Sequence, residues 1–181
     1  MRSKRSRWMI GIGGMLMASA ALLWFVDPAG AIPLESWDDI VPSATTRFKV
    51  LTEFGGAAVL DKETQLVWEK SPATTPQTWN GARFACIKTN VGGRKGWRLP
   101  SIPELASLVD PANSIPTLPT THPFIGNFTS YPYWSAATVA DQPTLAWVVS
   151  FFDGDVVNLA KNDPFLGLAW CVRGGMNADA Y

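Results

Sequence analysis

The sequence predicts an α+β domain with β-structure at both ends, two helices in its first half and a long proline-rich loop between the helices and the last strands. Three observations carry this. Short apolar runs bounded by turn residues open and close the domain, and two stretches with apolar residues at helical spacing each begin with a good cap. Between them and the last strands, the interval Pro111–Pro132 holds five prolines and many Thr, Ser and Asn residues.

The chain has 181 residues, 15 Lys+Arg against 15 Asp+Glu, 17% charged and 47% hydrophobic residues, which excludes disorder, collagen and coiled coil. A formal net charge of zero also argues against nucleic acid, whose binding draws on an excess of Lys and Arg. Nine Trp and nine Phe stand beside a single His, which leaves little for histidine-based acid/base or metal chemistry.

A targeting segment comes first. Arg2, Lys4, Arg5 and Arg7 precede an uncharged run from Trp8 to Val26, and Ala29-Gly30-Ala31 offers small residues where a signal peptidase cuts. Residues 1–31 therefore read as a signal peptide, the chain as exported, and its location as periplasmic, cell-surface or secreted. The alternative is an uncleaved anchor, the chain's only expected membrane contact, because a span needs about 17 to 25 apolar residues. Ile32, not a Cys, directly follows the cleavage position, which speaks against a lipoprotein anchor. Four of the 15 basic and one of the 15 acidic residues lie in 1–31, so the mature chain has a net charge of −3. Cys86 and Cys171 are the two cysteines, and in an oxidising compartment one disulfide is the economical reading. A metal site is the alternative, although no third or fourth soft ligand lies near them in sequence.

Residues 32–46, with Pro33, Pro42 and no periodicity, read as an N-terminal arm or linker, and the domain proper as 47–175 with a tail at 176–181. Phe48–Thr52 forms a strand, and Ala58-Val59-Leu60 and Leu66-Val67-Trp68 form a hairpin around the polar connection Asp61-Lys62-Glu63-Thr64. Thr78 caps a first helix over Trp79–Thr89, with Trp79, Ala82 and Cys86 inward, which Gly92-Gly93 stops. Ser101 and Glu104 make a capping box for a second helix to about Asp110, with Pro103 tolerated in its first turn and Ile102, Leu105, Leu108 and Val109 inward. Loops as long as Pro111–Pro132 are functional or disordered, and Phe124, Phe128, Tyr131 and Tyr133 argue for order. Strands over Trp134–Val139, Leu145–Phe152, Val156–Leu159 and Ala169–Arg173 close the domain, with Asp153-Gly154-Asp155 as a hairpin turn.

Arg47-Phe48, Val59-Leu60-Asp61, Leu66-Val67-Trp68, Thr78-Trp79, Gly96-Trp97-Arg98-Leu99-Pro100, Glu104-Leu105, Tyr133-Trp134-Ser135, Phe152-Asp153-Gly154 and Cys171-Val172-Arg173-Gly174, taken in this order, resemble the Lcl C-terminal domain family of exported bacterial proteins. The resemblance spans Arg47 to Gly175. It implies a C-type-lectin-like α+β fold, two helices packed on a twisted, mostly antiparallel sheet with a long loop region on one side, and a disulfide from the first helix to the last strand. It also implies adhesion-type recognition at the cell envelope. Calcium-dependent sugar binders of that wider fold use a Glu-Pro-Asn or Gln-Pro-Asp triplet and a Trp-Asn-Asp triplet; here Gln142-Pro143-Thr144 lacks the carboxylate and no Trp-Asn-Asp occurs. Formylglycine-generating oxidases share the fold, and Arg98, Leu99, Pro100 and Glu104 echo their pattern, but they depend on reactive cysteines.

Trp68, Trp79, Trp97, Trp134, Trp147 and Trp170 sit in helix or strand patterns and read as core rather than sugar platforms. Arg98 reads as the partner of a half-buried carboxylate such as Glu104 or Asp110. Asp153 and Asp155 with Asn158 read as a turn rather than calcium ligands, His122 as a loop residue without a nucleophile to activate, and Asn127-Phe128-Thr129 as a formal glycosylation sequon on an exposed loop. The expected function is a non-enzymatic, calcium-independent binding module, with no cofactor or metal, that takes a carbohydrate or protein ligand at the cell surface through its loops. Asn127, Tyr131, Tyr133, Asp153, Asp155, Asn158 and Lys161 are its candidate ligand residues, because loop aromatics and short polar groups combine stacking with hydrogen bonds. The alternatives are an oxidase of the formylglycine-generating type and a self-associating structural envelope protein.

Overall fold

Side chains alternate across a strand, so a run such as Ala58-Val59 or Val148-Val149 with both neighbours apolar must bury both faces. That requirement governs the fold of residues 44–174, which are the residues the computed structural model describes. The expected signal peptide, nearly all of the expected arm and the expected tail lie outside them. The elements are α1 (Ala44–Arg47), β1 (Phe48–Leu51), β2 (Ala58–Asp61), β3 (Val67–Glu69), α2 (Trp79–Lys88), α3 (Ile102–Ala106), β4 (Tyr133–Val139), β5 (Gln142–Val149), β6 (Val156–Ala160) and β7 (Val172–Arg173). This is an α+β fold. The strands form two sheets rather than the expected one, ordered β1-β2-β3-β7 and β4-β5-β6, with every strand pair antiparallel. The segment before β7 joins them: Leu168 bridges Tyr133 at the start of β4, and Val172 bridges Arg98.

Two apolar clusters fill the two sides. One gathers Phe48, Val59, Trp68, Leu105, Leu108, Leu118, Phe124, Phe128, Tyr133, Val149, Phe151, Trp170 and Val172. The other gathers Leu51, Phe54, Ala58, Trp79, Ala82, Cys86, Trp97, Leu99, Trp134, Ala146, Val148, Ala169 and Cys171. The neighbours Ala58 and Val59, Tyr133 and Trp134, Val148 and Val149, and Trp170 and Cys171 each split between them. Five of the six tryptophans expected in the core are buried there. The exception is Trp147, which is half-buried because it alternates with Ala146 and Val148 on β5.

The first helix follows its pattern. The Thr78 hydroxyl accepts the Gly81 amide, and Trp79, Ala82 and Cys86 are buried. Gly92 and Gly93 do not stop it, since α2 ends at Lys88; Gly92 is needed instead where the chain crosses the Phe54 backbone, because a Cβ there would lie 2.4 Å from Phe54 Cα. Cys86 and Cys171 are bridged with Cα atoms 5.3 Å apart. Closing an 85-residue separation stabilises by on the order of 4 to 5 kcal/mol in the chain-entropy model.

The second helix is shorter than expected. Both arms of the Ser101/Glu104 capping box form, but α3 ends at Ala106, while Leu105 and Leu108 still reach the core. The hairpin also differs, because Asp61 belongs to β2 instead of the turn and is fully buried. Its carboxylate takes two hydrogen bonds from Arg47, Nε to Oδ1 at 2.9 Å and Nη2 to Oδ2 at 2.7 Å, and Arg47 also donates to the Ser107 carbonyl at 2.8 Å. The Glu63 amide donates to Asp61 Oδ1 and the Thr64 hydroxyl to Oδ2, which satisfies the carboxylate as a buried charge pair requires. α1 thus occupies part of the segment read as an arm, and pins β1 to the entry of the long loop. The closing strands begin and end elsewhere too: β4 starts at Tyr133, β5 runs Gln142–Val149, and β7 keeps only Val172–Arg173.

Candidate functional site

The long loop is ordered by rings and a few backbone bonds. Phe124 and Phe128 are buried, each about 5 Å from the Trp170 ring (4.9 and 5.2 Å), and Phe128 also meets Tyr133 and Phe151. The Thr117 amide donates to Phe151 O at 2.8 Å and the Ile125 amide to Lys70 O at 2.8 Å, which ties the loop to the end of β5 and to the chain after β3. Asp110 organises the loop's first turn by accepting from the Ala112 amide and the Asn113 side chain, and so is not the partner of Arg98.

Between these anchors the loop encloses a cleft of about 250 Å³ lined by Asn113, Ser114, Ile115, Pro116, Leu118, Pro119, Thr120, Thr121 and His122. Its backbone is unusual. Ile115 and Thr121, both β-branched, hold φ angles of 51° and 65°, a region where such residues are strained and which recurs at functional sites. His122 is half-buried, its ring against Phe124 and Phe128, and its Nδ1 finds no hydrogen-bond partner among the described residues. Burial in this apolar setting lowers its pKa, so the neutral imidazole is favoured. The cleft therefore combines hydroxyls, a side-chain amide, a neutral imidazole and prolines, a neutral lining with both donors and acceptors.

The seven expected ligand residues do not converge on one place. Tyr133 is fully buried in the ring cluster, its hydroxyl donating to the Asn127 carbonyl at 3.0 Å, so it is a core residue and not a stacking platform. Burial pushes its phenol well above the usual tyrosine range. Asn127 spends its side chain on its own turn, accepting the Ser130 amide and donating to the Ser130 hydroxyl. Lys161 is likewise engaged, with Nζ 2.8 Å from both Thr138 Oγ1 and Pro143 O and 4.2 Å from the centre of a Trp79 ring. Tyr131 is 38% exposed. Asp153 and Asp155 form the β5–β6 turn, where the Ser150 hydroxyl and the Asp155 amide hold the Asp153 carboxyl below its usual value. Asn158 faces solvent on β6, opposite Trp147. Among the described residues no group of three or more His, Cys, Asp or Glu is arranged to hold a metal.

Arg98 pairs with Glu104, Nη1 to Oε2 at 2.8 Å and Nη2 to Oε1 at 2.7 Å, and donates to the carbonyls of Leu99 and Gly174. Burial alone would raise the Glu104 carboxyl, but the Arg98 hydrogen bonds and the Ser101 amide outweigh it and hold it below the usual value. This pair clamps α3 to Gly174 just after β7 and reads as structural.

Sequence reasoning missed two features. The first is the cleft around His122, whose signal was the density of prolines and hydroxyl residues from Asn113 to Thr121. The second is a charge asymmetry hidden by the net charge: from Lys70 to Pro103 there are six bases and no acid, whereas Glu104–Gly174 carries six acids and two bases.

The helix α2 lies within the first stretch, and its outward side chains Phe84 and Ile87 are 57% and 61% exposed. Among the described residues no helix is long and apolar enough to cross a membrane. A search of the curated proteins finds no match. The model of the Lcl C-terminal domain matches residues 57–173, from β2 through β7 and including both cysteines, the Trp97-Arg98-Leu99-Pro100 block and the whole long loop. The chain therefore belongs to the Lcl C-terminal domain family.

Proposed function

We propose that the mature chain is an exported, disulfide-bonded recognition module that binds a carbohydrate or protein surface without calcium, through the cleft of its long loop. The single observation that carries this is the loop itself: 25 residues of irregular backbone from Leu108 through Pro132, held on the core by Phe124 and Phe128 and shaped around a neutral, strained cleft. Maintaining φ near 51° and 65° at Ile115 and Thr121 costs of order 1–3 kcal/mol each, a cost expected where a fixed backbone shape is used. At about 250 Å³ the cleft is smaller than the roughly 300–1,000 Å³ typical of whole small-molecule sites. It suits one unit of a larger ligand, such as a terminal sugar ring or a side chain. The sequestration of both cysteines in one bridge weighs against an oxidase that needs a reactive thiol.

The test is a glycan array probed with the full chain in calcium and again in chelator, beside Thr120→Ala and His122→Gln variants whose intact mass shows the disulfide formed. Hits that persist in chelator and weaken about tenfold in the variants, the worth of a lost hydrogen bond, support the reading. Hits lost with chelator, or unchanged in both variants, contradict it.

A further inference from the structure

Helix α2 has two unlike faces. At about 100° per residue, Trp79, Ala82 and Cys86 fall on one side, and all three are buried. Arg83, one turn on from Trp79, is exposed at the border between the two, and Asn80, Phe84, Ile87 and Lys88 are exposed on the other side. There the two largest apolar residues stand free, Phe84 at 57% and Ile87 at 61% exposure, and a shallow apolar groove of about 160 Å³ continues from Arg83 and Ile87 to Leu99 and Ala136.

Bases surround this apolar pair. The Lys88 ammonium lies 4.1 Å from the centre of the Phe84 ring and the Arg83 guanidinium 4.7 Å from a Trp79 ring, and Arg94 and Lys95 follow in the next turn. No carboxylate lies within salt-bridge distance of Arg83, Lys88, Arg94 or Lys95 among the described residues, where the three ion pairs belong to Arg47 and Arg98. No acid occurs anywhere from Lys70 to Pro103, so this helix and the turn after it carry only positive side-chain charge although the whole chain is neutral.

The geometry points to an anionic phospholipid surface as the partner of this face: we propose that α2 lies flat on a bilayer, with Phe84 and Ile87 at the acyl boundary and Arg83 and Lys88 among the headgroup phosphates. Charge complementarity selects an anionic partner. The apolar pair selects a lipid over a soluble polyanion, which would engage the bases and gain nothing from Phe84 or Ile87. Long cationic side chains whose stems lie over apolar surface are the usual arrangement at that interface. A helix of 10 residues with two apolar anchors adsorbs shallowly and reversibly, so this contact orients the domain and leaves the loop cleft to its own ligand.

The experiment follows acetylation of individual lysines by mass spectrometry in the full chain, free and mixed with vesicles of phosphatidylglycerol and phosphatidylcholine or of phosphatidylcholine alone. Lys49 and Lys62, on β1 and in the β2–β3 turn, serve as internal references, so attachment through the N-terminal segment alone is recognised by an unchanged Lys88. The expected result is that Lys88 reacts about fivefold more slowly than the references on the anionic vesicles only. High salt, or the double substitution Phe84→Ser with Ile87→Ser in a protein of unchanged oxidised mass, should restore its reactivity. Equal protection on both vesicle types, no protection of Lys88 in vesicle-bound chain, or protection that survives the double substitution overturns the proposal. The last outcome, with a soluble sulfated polysaccharide protecting Lys88 equally, identifies a polyanion instead.

Discussion

The two sides of the domain are built by opposite means. On the helix side, α2 supplies its own backbone hydrogen bonds, a cap at Thr78 and a covalent tie through Cys86, and it turns two large apolar residues outward. On the loop side there is no regular element between Ala106 and Tyr133, and Phe124 and Phe128 turn inward to meet Tyr133, Phe151 and Trp170. Where a segment lacks a hydrogen-bond ladder, ring packing takes over the work of fixing its shape. Edge-to-face rings tolerate irregular backbone, so the loop can hold a cleft with unusual φ angles, which a helix cannot.

This contrast can be broken from either side. The largest effect is expected from replacing both cysteines by Ala, which should lower the unfolding free energy by on the order of 4 to 5 kcal/mol in the chain-entropy model, read by urea denaturation. Phe128→Ala should cost about 4 kcal/mol by emptying the ring cluster and should disturb the loop before the helix. Thr78→Ala and Ser101→Ala remove caps and should each cost about 1 kcal/mol, with the loop cleft unaffected. The smallest effect is from acid. The His122 pKa is lowered in the fold by burial, so the unfolded chain takes up the proton first as pH falls. Its contribution to stability is full above the ordinary value of 6.5 and is lost as pH falls below that value toward the folded pKa. The one imidazole in the chain makes this readable by NMR titration, and a His122→Gln variant should lack that part of the pH dependence.

The α+β class, the helix cap at Thr78, the capping box and the buried Trp79, Ala82 and Cys86 were legible because each rests on local spacing. Helix α3 was over-read because Leu105, Leu108 and Val109 continue the apolar spacing after the backbone has left the helix. The split into two sheets was not legible, since it depends on Leu168 and Val172 reaching different neighbours far away in sequence. The same limit hid the Arg47–Asp61 pair: Asp61 looks like a turn residue until the chain brings a guanidinium to it. For the candidate site, composition marked the long loop as unusual, but which of its residues face outward was set by the core. Tyr133 was claimed by the ring cluster and Asn127 by its own turn, while His122 and Thr121 were left lining the cleft.

Amide hydrogen exchange of the oxidised protein, with Phe128→Ala alongside, tests most directly whether the long loop is a fixed recognition surface held by rings. Thr117 and Ile125, which donate to Phe151 and Lys70, report on the loop, and Ala82, which donates to Thr78, reports on the helix. All three amides should be protected in the native chain, and Phe128→Ala should release the first two while Ala82 stays protected. Thr117 and Ile125 exchanging at unprotected rates in the native chain, or all three released together in the variant, would contradict a loop held by rings.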